Sequence, residues 1–258
     1  MTATDISSIL EHAETLLDAH GFADYGPIGL QVSGRASQTA VIATSVSSTR
    51  SAFEAAAAAG AHLLLCHHGL FWDKTPRVVD SVMRERLATL FEHDITLAGY
   101  HLCLDAHPTL GNNALLADGL GLRRTEVPFA VHGGRPIGII GELDGDGSSL
   151  DAFVDAATDL LDGRSPLVLG APVERVRRVA VCSGGAAGEL AAAAHLGCDA
   201  FLTGEPREET HALAQELGVA FLAGGHHATE VFGIRALGSH LADQFGLGHV
   251  FIDADNPV

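Results

Sequence analysis

One short motif occurs twice in the chain, and each copy carries residues that can bind a metal. Both copies read Leu-Ala-Gly-x-His-x-x-x-acid, over residues 97–105 and 222–230. Each copy therefore pairs a histidine with a carboxylate four positions later: His101 with Asp105, and His226 with Glu230. Mixed imidazole and carboxylate ligands suit zinc, manganese, iron or cobalt better than calcium or magnesium. The repeat predicts two related half-sites for metal.

An adjacent pair of histidines adds to this set. His67 and His68 directly follow an apolar run, residues 62–66, that we predict to be a strand. Ligands of open α/β sheets gather at the carboxyl ends of strands, which is where this pair lies. The complete set of predicted metal ligands is His67, His68, His101, Asp105, His226 and Glu230.

Local geometry can bring each histidine close to its carboxylate. If residues 101–105 continue as extended chain, His101 and Asp105 point to one face, because strand side chains alternate. If a helix begins near Glu230, His226 lies one turn before it. Two ions roughly 3.5–4 Å apart can share a water, lower its pKa and stabilise the oxyanion of a hydrolytic step. We expect the two carboxylates to bridge these ions and the histidines to bind terminally.

Several neighbouring residues have two interpretations. Phe71, Trp72 and Glu205 are candidate wall residues of the same pocket, although ordinary packing equally explains the two aromatic side chains. His107 and His227 could donate a proton or contact substrate, or be ordinary hydrogen-bonded histidines. A single histidine at the end of a strand is more often such a residue than a ligand. The adjacent pair and the repeated unit are what favour metal here.

The order of predicted elements indicates an α/β fold built from two related lobes. A strand, a turn of small residues, an alanine-rich helix, a glycine and a second strand follow one another over residues 41–62 and again over residues 179–199. We place the first lobe at residues 1–124 and the second at residues 125–258. We also predict a loop over residues 22–34, a helix over residues 76–92 and a helix over residues 229–245.

Composition excludes several classes of protein. A chain of 258 residues with 47% hydrophobic residues is long and apolar enough to bury a core. Its apolar runs are far shorter than the ~20 residues that span a bilayer, and we find no signal peptide, so we expect a cytoplasmic protein without membrane contact. The four cysteines form no C-x-x-C pair, which argues against a disulfide framework or a zinc ribbon.

Charge argues against nucleic acid as a partner. The net charge of -17 makes phosphate contacts unfavourable. Lys74 is the only lysine. An acidic chain with almost no lysine is typical of proteins that stay soluble in high salt, where charge repulsion is screened, and a halophilic cytoplasm is our hypothesis for its environment.

The sequence resembles the dinuclear metal-centre family called NIF-three-like or YbgI-like, whose members are often named GTP cyclohydrolase 1 type 2 homologues. The matching stretches, in the family's order, are residues 29–32, 67–72, 101–106, 203–205 and 225–230. They span about nine-tenths of the chain. The residues before Gly29 depart from the family pattern, which more often has a tryptophan and an asparagine there.

The resemblance implies a fold and an assembly. It implies two duplicated, intertwined α/β lobes with two divalent metal ions between them, the six ligand positions all occupied, and a ring-shaped homohexamer. It also implies a metal-dependent hydrolase acting on a nucleotide-like small molecule such as GTP. The alternative is a noncatalytic metal-binding or regulatory protein that docks partners around a ring. An open coordination position would favour the enzyme, because a metal buffer can have a closed one.

Overall fold

The computed structural model describes residues 3–254 and 256–258, and strands and helices alternate through most of them. The elements of the first part are β1 Thr4–Asp5, α1 Ile6–Leu16, β2 Gly29–Val32, β3 Gln38–Thr39, β4 Val41–Ser47, α2 Arg50–Ala58, β5 Leu63–His68, α3 Ser81–Glu92, β6 Thr96–Gly99 and α4 Leu102–Asp105.

The second part has the same mixed character. Its elements are α5 Asn112–Gly119, β7 Arg123–Arg124, β8 Phe129–His132, β9 Arg135–Glu142, α6 Leu150–Leu160, β10 Leu167–Gly170, β11 Arg178–Val181, a 3-10 turn Ala187–Glu189, α7 Leu190–His195, β12 Ala200–Thr203, α8 Thr210–Leu217, β13 Ala220–Ala223, α9 His226–Phe245 and β14 Gly248–Phe251. The predicted α/β class is confirmed.

The chain divides into two compact units. The first comprises residues 1–104 and 233–255, and the second comprises residues 105–232 and 256–258. Each unit is thus made of more than one chain segment. The predicted boundary after residue 124 divides the chain into two repeats of similar sequence, whereas the two units here are defined by their compactness. That boundary stays a prediction.

A five-stranded sheet forms the centre of the first unit. Its order is β14-β4-β5-β6-β2, and all neighbours are parallel except β2, which runs antiparallel to β6. The apolar residues of β5, from Leu63 to Cys66, are fully buried. A continuous apolar run of this kind is typical of a parallel strand covered on both faces. Phe53 of α2 and Leu90 of α3 belong to the same hydrophobic core.

A seven-stranded sheet forms the centre of the second unit. Its order is β10-β13-β12-β11-β9-β7, and β8 pairs with β9. The three strands β11, β12 and β13 are parallel, whereas β9 and β10 are antiparallel to their neighbours. Phe201 packs edge-to-face between Phe129 and Phe221, with ring centroids 5.6 and 5.5 Å away. Three parallel strands joined through helices therefore occur in each unit, as the repeated order of elements predicts.

The predicted loop over residues 22–34 is wrong in part, because residues 29–32 form β2. This strand pairs antiparallel with β6, with a bulge between Leu30 and Val32. Gly29 has a φ of +82°, a conformation that favours glycine, and it lies at the start of the strand. The glycine-rich sequence alone predicts a loop. Pairing with the remote strand β6 instead makes residues 29–32 the edge strand of the sheet.

Two predicted helix starts also change. The helix expected from residue 76 begins at Ser81, because the Asp80 side chain accepts a hydrogen bond from the Met83 amide at 2.8 Å and caps it there. The helix expected from residue 229 begins at His226. No helix among residues 3–254 and 256–258 is both long enough and apolar enough to cross a bilayer.

Candidate metal site

The histidine pair and His101 meet within the first unit, at neighbouring strand ends. His67 and His68 are the last two residues of β5, and parallel β6 ends at Gly99, two residues before His101. The register pairs Cys66 with Gly99, so the residues that follow these two positions, His67 and His68 in one segment and His101 in the other, lie near the same edge of the sheet. One ring nitrogen from each of the three histidines lies within 4.8 Å of the other two. Sheet topology therefore makes a cluster of three imidazoles.

Hydrogen bonds determine how two of these rings are oriented. His67 Nδ1 lies 3.1 Å from the Tyr100 carbonyl oxygen, and His101 Nδ1 lies 2.7 Å from Oδ1 of Asp24. A carbonyl only accepts, so Nδ1 of His67 carries the proton, and a neutral ring then has its lone pair on Nε2. Metal-binding histidines commonly donate their second ring nitrogen to a carbonyl or a carboxylate in this way.

Asp24 is a site residue that the sequence analysis missed. Its side chain is 2% exposed, and its carboxylate also accepts hydrogen bonds from the backbone amides of Tyr25 at 2.7 Å and Leu102 at 2.9 Å. Burial alone would raise the pKa of Asp24, but the hydrogen bond and charge of His101, together with these amides, lower the pKa below its usual value. A buried anion thus supports the His101 ring from behind.

The Asp24 carboxylate also contacts the segment 101–105, whose conformation differs from the extended chain considered in the sequence analysis. These residues are not extended, because Leu102–Asp105 form the one-turn helix α4. The Leu102 amide, at the start of that turn, donates to Asp24. A helix start has amides without an intrahelical partner, and a remote side chain satisfies one of them here. Sequence spacing alone contains no sign of that contact.

Asp105 is buried in the second unit among neutral donors. Its side chain accepts hydrogen bonds from Asn112 Nδ2 at 2.8 Å and from the Ser183 hydroxyl at 3.1 Å. The neighbouring Asn113 accepts the Ser183 amide through Oδ1 at 2.7 Å. Asn112, Asn113 and Ser183 were not among the predicted site residues; the adjacent pair of asparagines seven positions after Asp105 was the available signal.

His226 lies between two carboxylates, also within the second unit. Its Nε2 is 3.3 Å from Oε1 of Glu230 and its Nδ1 is 3.4 Å from Oε1 of Glu205. The contact with Glu230 raises the pKa of His226 to about 9, burial opposes the shift, and Glu205 adds to it. His226 and Glu230 lie one turn apart as their spacing predicts, but helix α9 begins at His226 rather than near Glu230.

A glycine turn makes room for this second group. Gly184 has a φ of +63°, and a Cβ built on it would lie only 2.2 Å from Oε1 of Glu230. Any larger residue there would collide with the carboxylate or displace it. The Ser183-Gly184-Gly185 turn after β11 therefore contributes space for the ligand side chain.

The structure also places the neighbouring residues that the sequence analysis considered for the pocket or for proton donation. His107 accepts the Leu110 amide through Nδ1 at 3.0 Å, as a turn residue does. His227 is buried on α9. Phe71 and Trp72 line a narrow cleft with Asp24, His67 and His101.

The donor set of the first unit fits a transition metal. Three convergent imidazoles are typical ligands of zinc, iron, cobalt or copper, whereas calcium and magnesium prefer oxygen. In the second unit a carboxylate and an imidazole lie together. That all six predicted residues bind metal stays a prediction.

Comparison with known proteins identifies the family. The family model described as Duf34/NIF3 (NGG1p interacting factor 3) matches residues 1–257. A Neisseria meningitidis protein named GTP cyclohydrolase 1 type 2 homolog is 46% identical over 237 residues, covering 92% of each chain. A Pseudomonas aeruginosa protein of the same name is 42% identical over 256 residues, covering 99% of this chain and 100% of that one.

Solved structures agree with this assignment. The protein ybgI, described as of unknown function, matches with a TM-score of 0.90 and 39% identity, covering 99% of this chain and 100% of its own. A protein of Thermus thermophilus matches with a TM-score of 0.87 and 32% identity, covering 99% of this chain and 100% of its own. The fold and the sequence lead to one conclusion, that this chain belongs to the Duf34/NIF3 family.

Proposed function

We propose that this protein is a hydrolase that uses a dinuclear centre of divalent metal ions and acts on a nucleotide-like substrate. The observation that carries the proposal is the convergence of His67, His68 and His101, with ring nitrogens within 4.8 Å of one another. Two of these rings are oriented by hydrogen bonds at Nδ1, which is the arrangement of metal-binding histidines. The repeated motif supports Asp105, His226 and Glu230 as the ligands that complete the centre.

The substrate class comes from the relatives. The Neisseria and Pseudomonas proteins are both named GTP cyclohydrolase 1 type 2 homolog, and this chain is similar to both over nearly its whole length. A nucleotide is therefore the first substrate to test. We also propose that the protein is a cytoplasmic homohexamer.

The side chains supply orientation and proton control. Asp24 and the Tyr100 carbonyl hold the rings of His101 and His67, while Asn112 and Ser183 hold the carboxylate of Asp105. His226, whose pKa is raised to about 9, holds a proton at neutral pH before metal enters. Bound divalent ions would supply Lewis acidity and a water of lowered pKa.

Metal content is the decisive measurement. Untagged protein, incubated with zinc, manganese, iron(II) or cobalt and then desalted, is analysed by elemental mass spectrometry. We expect about two equivalents per chain in the parent, with loss of metal in Asp105→Ala and in Glu230→Ala. The control is His20→Ala, because the His20 side chain is 78% exposed. Less than about half an equivalent in the parent would overturn the dinuclear proposal.

Turnover separates the enzyme from the noncatalytic alternative. The metal-loaded parent is incubated with GTP and other nucleotides, and products are followed by chromatography. Hydrolysis that Glu230→Ala abolishes, and that His20→Ala retains, is the expected result. Full metal occupancy without turnover of any nucleotide would instead indicate the noncatalytic metal-binding protein.

A further inference from the structure

A large cavity lies beside the histidine cluster within the first unit. Its volume is about 620 Å³, within the range of roughly 300–1,000 Å³ that small-molecule sites occupy. Its wall includes Gly26, Pro27, Phe71 and Trp72, and the same four residues line the narrow cleft that contains His67 and His101. The cavity and the cluster therefore share one wall.

Trp72 connects the two spaces. Its ring packs edge-on against the His101 ring, with centroids 5.1 Å apart and an interplanar angle of 89°. It also lines the large cavity. The face of an indole is a good surface for stacking a planar ring, and aromatic pairs contribute beyond the apolar area that they bury. An aromatic group in the cavity would thus lie next to the proposed metal site.

The rest of the wall is mainly apolar, with the hydroxyl of Thr75 and two charged side chains as the polar groups. Val78, Val79 and Met83 line it, and both valines are about two-thirds exposed, 66% and 64%. The charged side chains in the wall are Asp73 and Arg77. A ligand with one aromatic end and one anionic end would cover the apolar wall and pair with the arginine, while the carboxylate can accept from hydroxyl or ring N–H groups.

Charge around the cavity favours an anion. The whole chain has a net charge of -17, yet residues 73–86, which include both charged wall residues, contain four cationic and three anionic side chains. The chain's only lysine, Lys74, is among them. A cationic segment on an acidic protein is where an anionic ligand meets the least repulsion.

We propose that this cavity binds a nucleoside phosphate, with the base against Trp72 and the phosphate at Arg77. The inference rests on the proposed function, from which it takes the nucleotide class. It goes further in assigning a binding site outside the metal ligands. In this arrangement the base packs against the apolar wall, the ribose hydroxyls donate to Asp73 and the phosphate pairs with Arg77.

Trp72 is the only tryptophan in the chain, so its fluorescence reports on this cavity directly. Metal-free protein, prepared with a chelator, is titrated with GTP, guanosine and inorganic triphosphate. Free N-acetyltryptophanamide corrects for absorption by the base. We expect quenching by GTP and guanosine but not by triphosphate, with a stoichiometry near one by calorimetry. Absence of both quenching and heat with GTP would overturn the proposal.

Arg77→Gln tests the phosphate end. Loss of a charge-assisted contact should raise the Kd for GTP about tenfold or more and change the Kd for guanosine less than about twofold. The matched control is Arg50→Gln, because Arg50 pairs with Glu54 on α2 and does not line the cavity. An equal effect on GTP and guanosine, or no effect on either, would contradict the assignment of Arg77.

Trp72→Phe, measured by calorimetry, tests the base end and should weaken GTP and guanosine alike. The metal content of every variant is measured separately. A protein that binds metal but no nucleotide would contradict the cavity proposal alone, whereas a protein that binds no metal would contradict the metal centre. Trp72 emission that changes with protein concentration but not with nucleotide would mean that a second copy covers the cavity, and would also overturn the proposal.

Discussion

The histidine cluster of the first unit and His226 of the second unit hold their imidazoles in contrasting ways. His101 has a carboxylate behind it at Nδ1, and the nearest members of its cluster are other imidazoles. His226 has a carboxylate near each ring nitrogen, and its pKa rises to about 9. The first arrangement holds one ring nitrogen against a single buried carboxylate. The second holds a proton between two carboxylates, so similar residues of a repeated motif have different surroundings.

The sharpest way to break the comparison is to remove a buried ring of the first unit. His67→Ala should lower metal affinity at least about 100-fold, because even residues that only support a ligand contribute roughly 10–100-fold. Competition with a fluorescent chelator measures this affinity. His20→Ala should match the parent. Unchanged affinity in His67→Ala, with the fold intact by circular dichroism, would remove His67 from the ligand set.

Asp24→Asn tests whether the buried anion matters for metal as well as for packing. The amide retains an acceptor but loses the charge that favours the donating His101 ring, so we expect metal affinity to fall roughly 10–100-fold. The control is Asp94→Asn, which alters an acid of the same unit that pairs with Arg35. A purely structural role would lower the thermal midpoint while leaving the metal affinity of the folded protein unchanged.

The stored proton predicts a pH dependence of the metal-free protein. The folded pKa of His226 lies near 9, above its ordinary value of 6.5, so the folded state holds the proton more tightly than the unfolded state. The stabilisation is therefore complete below about pH 6.5 and is lost as pH rises through 9. Because solvent partly screens the half-buried ring, we expect it to be on the order of 1–2 kcal/mol rather than the full value of the shift. Urea unfolding at several pH values in chelator measures it.

Glu230→Gln supplies the control for this prediction. Without the carboxylate that contributes most to the shift, the decline in the free energy of unfolding between pH 6.5 and 9 should become smaller than in the parent. Identical pH profiles of the two proteins would contradict the assignment to His226.

The smallest effect is expected at Asp105, whose donors include neutral side chains. Ser183→Ala removes the hydrogen bond of 3.1 Å that a neutral hydroxyl donates to the Asp105 carboxylate, and it should cost about 1.5 kcal/mol, or about tenfold in metal affinity. Isothermal titration of zinc measures this against Asp24→Asn. An effect larger than that of Asp24→Asn would reverse the contrast between charged and neutral support of the ligands.

The recurring motif and the apolar strands made much of this protein predictable. The predicted strand over residues 62–66 is largely present as β5, because a continuous apolar run is enough to define such an element. The strand β2 was not predicted, because its partner β6 lies 65 to 70 positions away in the chain.

The sequence by itself determined the α/β class, the family resemblance and the residues that can bind metal, since these depend on residue type and local spacing. Only the tertiary structure decided what supports them. Asp24 caps the turn at Leu102 and orients His101 across 77 positions, and Ser183 reaches Asp105 across 78. Such contacts form only when sheet topology brings remote loops together, and neither periodicity nor a motif encodes that proximity.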